Sequence, residues 1–141
     1  MSVILALDVG EKSIGIAFSD DSETFAFPGE TLFRHEGHRK DMAILRNLIK
    51  DRSVSEIVIG NPYLMDGTAG IQSQKMESFA ELMSNHTDLP IHLHDERLST
   101  WEAEQALIEL GQSRIERKRT IDSLAAAAIL QSFLDSRKKL K

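Results

Sequence analysis

The sequence predicts an α/β fold: a mixed five-stranded sheet, three antiparallel strands followed by parallel ones, with helices on both faces. Two patterns carry this expectation. Three strand-like runs follow one another between Ser2 and Arg34, which suits an antiparallel meander. Beyond them, short apolar strands alternate with segments of helical spacing, the signature of parallel pairing through helical crossovers. A chain of 141 residues is long enough for one domain with a real core, and 1–141 is read as a single domain.

Ser2 to Leu7 is short and apolar and leads into a Gly-containing turn, so it predicts a buried strand. Ser13 to Ser19 is its hairpin partner, with Ile14, Ile16 and Phe18 on one face and Gly15 and Ala17 on the other. A third strand is expected within Glu23 to Arg34, interrupted at Pro28-Gly29. His38 to Arg52 spaces Met42, Leu45, Leu48 and Ile49 as a helix does. Ser55 to Ile59 is a strand, and "GNPYLMDGTAG" a loop dense in turn formers. Gln72 to His86 predicts an amphipathic helix, and Pro90 to His94 a strand ending at "DERLST". Ser99 and Glu102 match a capping box for a helix to Leu110, closed by Gly111. "QSRIERKRT" is expected as a basic loop, and Ile121 to Leu134 as the last helix with Thr120 as N-cap.

Composition excludes several classes. The chain has no cysteine, so disulfides, thiolate nucleophiles and Cys-ligated zinc are out, and a cytoplasmic setting is expected. No apolar run approaches the roughly 20 residues of a membrane span, and no signal peptide is recognisable. The net charge of -5 opposes indiscriminate binding to nucleic acid. The charge is unevenly spread, however. Residues 1–110 carry 9 basic and 19 acidic side chains, whereas residues 111–141 carry 8 and 3. A basic segment on an acidic chain can face a polyanion, or it can be a solvated helix with a lysine tail.

Three acids stand where chemistry could use them. Asp8 closes the first apolar run, ahead of the turn "VGEKS". It could satisfy turn amides; it could belong to a phosphate loop with Gly10 and Lys12; or it could hold a divalent cation from a rigid strand edge. Asp95 and Glu96 follow a later strand and precede Arg97. Adjacent acids repel unless a cation offsets them, and ligands of parallel sheets collect beyond the carboxyl ends of strands. Asp122 is expected in the first turn of the last helix, where the helix dipole alone could explain an acid. The alanines at 125–128 would let that helix lie close to the sheet and bring Asp122 toward Asp8. Asp66, Gly67 and Thr68 lie in a loop that could offer amides to a phosphate before a helix. His92 and His94 alternate on a strand without a metal-ligand pattern, and Trp101 has core spacing.

Four segments in this order, "LALDVGEKSIGIAFSD", "IVIGNPYLMDGTAG", "LHDERLSTWEAE" and "IDSLAAAAILQSFLD", resemble the YqgF family, also called RuvX, over essentially the whole chain. The resemblance implies a ribonuclease H-like fold related to the RuvC Holliday-junction resolvase. It implies a nuclease maturing the 5′ end of pre-16S ribosomal RNA, or a resolvase of branched DNA. Residue by residue, it places Asp8, Glu96 and Asp122 as catalytic and metal-binding acids, with Asp95 as the alternate for Glu96. The family's "MDGT.G" loop falls on Met65 to Gly70. Two positions depart from the pattern: Ser13 stands where many members have Arg, and Asn61 where many have Leu.

The chemistry agrees with that resemblance. Two divalent ions about 3.5–4 Å apart activate water and relieve charge on the leaving oxygen, and oxygen ligands suit Mg²⁺ or Mn²⁺. Gly10, Lys12, Arg97, Arg117, Lys118 and Arg119, with Asp66, Gly67 and Thr68, would line the path of the phosphates. The expected partner is nucleic acid: structured RNA, including the small-subunit precursor, or branched DNA. Symmetric cutting of a junction would need a homodimer, whereas RNA trimming would work as a monomer. Two other classes compete: an actin-like ATP site built on the first turn, and a non-catalytic RNA- or ribosome-binding module.

Overall fold

The computed structural model describes residues 2–61, 70–95 and 114–139. The helix expected at Ser99 to Leu110, with Trp101, and most of the "GNPYLMDGTAG" loop lie outside them. The elements are β1 (Val3–Val9), β2 (Ser13–Ser19), β3 (Ala26–Phe33), α1 (Arg39–Asp51), β4 (Val54–Asn61), α2 (Ile71–Ser84), β5 (Ile91–Asp95) and α3 (Arg114–Lys139).

The strands form one five-stranded sheet in the order β3-β2-β1-β4-β5. β1 pairs antiparallel with β2, and β2 with β3; β1 pairs parallel with β4, and β4 with β5. The mixed sheet predicted from the sequence is therefore observed. β1 is its centre, and Ile4, Leu5, Ala6 and Leu7 are wholly buried because both faces are covered.

Alternation along the strands sorts the core into two halves. Leu5, Leu7, Ile14, Ile16, Ile57 and Ile59 pack beneath α1 and α2 with Met42, Leu45, Met76 and Phe79. Ile4, Ala6, Ala17 and Val58 face α3, against Ala126, Ile129 and Leu130. In the second half Ala6, Ala17 and Ala126 are small, so α3 lies close to the sheet. A Cβ at Gly60 would fall 2.5 Å from Ile129 Cδ1.

Several boundaries differ from expectation; β4 runs through Gly60 to Asn61, two residues expected in the loop, and β5 takes in Asp95. β3 runs unbroken through Pro28-Gly29, because it is an edge strand and absorbs the proline in a register shift opposite Gly15 and Ala17. β1 extends through Asp8 to Val9, so Asp8 belongs to the ladder rather than to the turn. The last helix begins at Arg114, so the basic segment is helical and Thr120 is not its N-cap. Arg, Glu and Lys are strong helix formers, and neither Gly nor Pro interrupts 114–134.

Candidate active site at the carboxyl edge of the sheet

β1, β4 and β5 run parallel, so their carboxyl ends meet on one edge. β2 runs the other way and brings its first residue, Ser13, to the same edge. Asp8 is the register partner of Gly15. Both face α3, as the neighbouring Ala6 and Ala17 do. Gly15 leaves the surface bare at that point, and the Asp122 backbone of α3 fills it: a Cβ on residue 15 would fall inside the Asp122 carbonyl group. Gly15 thus joins two acids far apart in sequence, flanked in the ladder by Asp8 and covered by Asp122.

Asp122 is buried, and its Oδ2 accepts a hydrogen bond from Ser13 Oγ at 2.5 Å. It lies more than two turns into α3, not in the first turn. The helix dipole acts within the first turn and does not account for an acid at this depth. A buried carboxylate needs partners, and Ser13 is one.

The turn after Asp8 is held from outside. Gly10 N donates to Ser13 O at 2.9 Å, closing the hairpin. Arg34 Nη1 donates to Gly10 O at 2.8 Å, and Arg34 N to Lys12 O at 2.9 Å. Arg34 is in turn anchored by buried Asp41, whose Oδ2 is 3.7 Å from Arg34 Nε and whose Oδ1 accepts from His35 N at 3.1 Å. Gly10 and Lys12 are exposed on this braced rim. A cleft of about 510 Å³ opens on the α2 side of the turn, lined by Gly10, Glu11, Arg34, Lys75 and Phe79. Its lysine is offset by Glu11 at 3.2 Å.

Asp95 ends β5 as the register partner of Asn61. Along β5, Ile91 and Leu93 pack on the α2 side, whereas His94 bonds Ser132 of α3 at 2.9 Å. Alternation puts Asp95 with Ile91 and Leu93, on the face opposite Asp8 and Asp122. Glu96, Arg97, Asp66, Gly67 and Thr68 lie outside the described residues. Arg117, Lys118 and Arg119 fall in α3, in the turns preceding Asp122. Among the described residues, no three His, Asp or Glu side chains gather closely enough to hold a metal ion. Asp8 and Asp122 are hard oxygen donors, of the kind a divalent cation takes.

Sequence reasoning missed two residues here. Ser13 was only a departure from a family pattern, because nothing local reveals a partner on α3. Asn61 is fully buried, and neither amide atom has a hydrogen-bond partner among the described residues. Its signal was visible as a polar residue closing an apolar strand. His92 and His94 are half-buried against Phe133, as partly packed residues should be.

The family model described as "RuvX: Holliday junction resolvase" matches residues 2–136. A protein of Thermoanaerobacter pseudethanolicus named "Putative pre-16S rRNA nuclease" is 45% identical over 136 residues, covering 96% of this chain and 97% of its own. One of the same name from Desulforamulus reducens is 46% identical over 133 residues, covering 94% and 96%. Among solved structures, Thermus thermophilus RuvC in complex with a Holliday junction superposes with a TM-score of 0.58 at 12% identity, covering 99% of this chain and 97% of that one. This last likeness is one of fold.

Proposed function

The chain belongs to the RuvX family, and from that membership we propose that it is a nuclease hydrolysing phosphodiester bonds in the 5′-end maturation of pre-16S ribosomal RNA. The names carried by relatives at 45–46% identity over nearly full length support this substrate. The observation that carries the chemistry is the seating of Asp122 on Gly15, directly beside Asp8. Two acids from separate elements are held at one rigid sheet edge, which is what a nuclease centre asks of a scaffold.

Asp8, Asp122 and Glu96 would hold Mg²⁺ or Mn²⁺, which when bound supplies an activated water and charge relief at the leaving oxygen. Glu96 is preferred to Asp95 because Asp95 shares the face of Ile91 and Leu93, opposite the face of Asp8. Asp8 contributes its carboxylate from the central strand, where a fully buried neighbourhood allows little movement. Lys12 on the braced turn, with Arg117, Lys118 and Arg119 in the segment ahead of Asp122, would supply positive charge for backbone phosphates. The acidic remainder of the chain repels the polyanion elsewhere and restricts docking to this edge.

The family's description favours a second substrate, a four-way DNA junction, which would require two symmetric cuts by a dimer. A cleavage assay on both substrates, with Mg²⁺ or Mn²⁺ varied and Asp8→Asn as control, tests the proposal. Metal-dependent trimming of the RNA precursor, lost in Asp8→Asn, is the expected result. Cleavage of junctions alone would move the assignment to the second substrate. Inertness of the wild type on both would end the catalytic reading.

A further inference from the structure

Ser13 and Asp122 are 109 positions apart, yet their oxygens are 2.5 Å apart in a part of the site where both residues are buried. That separation is in the range of a hydroxyl donating to an ionised carboxylate. We infer that Ser13 is a positioning residue for Asp122, setting the rotation of its carboxylate and so deciding which oxygen can reach a cation shared with Asp8. The inference rests on the metal-nuclease reading above.

A carboxylate on a helix turns freely about its last bond, since that torsion has broad, two-fold preferences. Helix packing fixes the Asp122 Cα over Gly15, and side-chain bonds set the rotation; Ser13 supplies one of them. Its backbone is pinned twice, in the ladder opposite Phe33 and by Gly10 N bonding its carbonyl. Its side chain has one proton to give, and Oδ2 of Asp122 receives it. Because the donor is neutral, it orients the carboxylate without cancelling the charge that attracts a cation. Outer partners of this kind typically change metal affinity by about 10- to 100-fold when removed.

The test is a calorimetric titration of the whole protein with Mn²⁺, without nucleic acid, so that it does not depend on turnover. Ser13→Ala should weaken Mn²⁺ binding about 10-fold, and Ser13→Thr, which restores a hydroxyl, should recover it. Circular dichroism accompanies each titration; if Ser13→Ala does not fold, Ser13→Cys, similar in size and a poor donor, replaces it with the same expectation. Wild-type affinity in Ser13→Ala, with loss of binding in Asp122→Asn, would overturn the role of Ser13 and leave the metal site standing. A folded Ser13→Thr that binds as weakly as Ser13→Ala would also overturn it. Wild-type affinity in Asp122→Asn would remove the metal reading itself, and the inference with it.

Discussion

Gly15 carries the backbone of Asp122 on the face that its missing side chain leaves bare. A methyl group at Gly15 must push α3 away from β2. Overpacking of this kind costs about 1–3 kcal/mol, and here it would also carry Asp122 away from Asp8. Gly15→Ala is expected to lower stability by that amount in chemical denaturation and to lose most metal-dependent cleavage while still folded. Full activity in a folded Gly15→Ala protein would show that the contact has no part in assembling the site.

Asp95 shares the side of Ile91 and Leu93, so Asp95→Asn is expected to keep cleavage within a few-fold of wild type. Glu96→Gln is expected to lose it by a factor of about 100 or more, as loss of a metal-binding acid would. Measured with both variants at saturating Mn²⁺, the opposite ranking would return the role to Asp95.

Asn61 offers a stability test. Its amide is buried with neither atom paired among the described residues, and an unsatisfied buried polar group costs about 1–3 kcal/mol. Replacement by Leu, of similar size and set beside Ile57 and Ile59, is expected to raise the midpoint of thermal unfolding. A lower midpoint would mean that the amide holds a bound water or a neighbouring loop.

Acid should act on a network away from the site. Arg137 Nη2 lies 2.7 Å from Glu56 Oε2, and Arg137 Nη1 is 3.3 Å from Glu23 Oε1. The hydrogen bond from Arg137 holds the Glu56 carboxyl below its ordinary value of 4.5, against the opposing effect of partial burial. A carboxyl with a depressed value in the folded state stabilises the fold above its ordinary value, and that contribution fades as pH falls through the lowered one. Glu56→Gln should therefore cost about 1 kcal/mol or less near neutrality and flatten the loss of stability below pH 4.5. Parallel acid limbs for the two proteins in denaturant titrations would contradict this.

Much of the fold was legible because its signals are local. The apolar runs of β1 and β4, the spacing of Met42 and Leu45, and the small face of β2 each follow from the period of one element. The start of α3 was misplaced for an equally local reason: a cluster of charges resembles a loop, although Arg, Glu and Lys favour helix. The candidate site was legible only as separate acids. That the Asp122 backbone seats on Gly15, the register partner of Asp8, depends on a missing side chain, and that Asp95 faces away depends on register, which sequence alone does not fix. The Ser13 hydrogen bond crosses 109 positions and left no pattern at all.

The same long span has a consequence during protein synthesis. The β1–β2–β3 meander is made of neighbouring hairpins and can form while α3 is still untranslated. Until α3 arrives, Ala6, Gly15 and Ala17 have nothing to cover them, and Asp8 stands without Asp122. Nascent and prematurely terminated chains would therefore carry a surface that binds water or a chaperone but cannot cut. On the nuclease reading, a protein that trims ribosomal RNA would emerge from the ribosome inert and become competent only after its final helix docks.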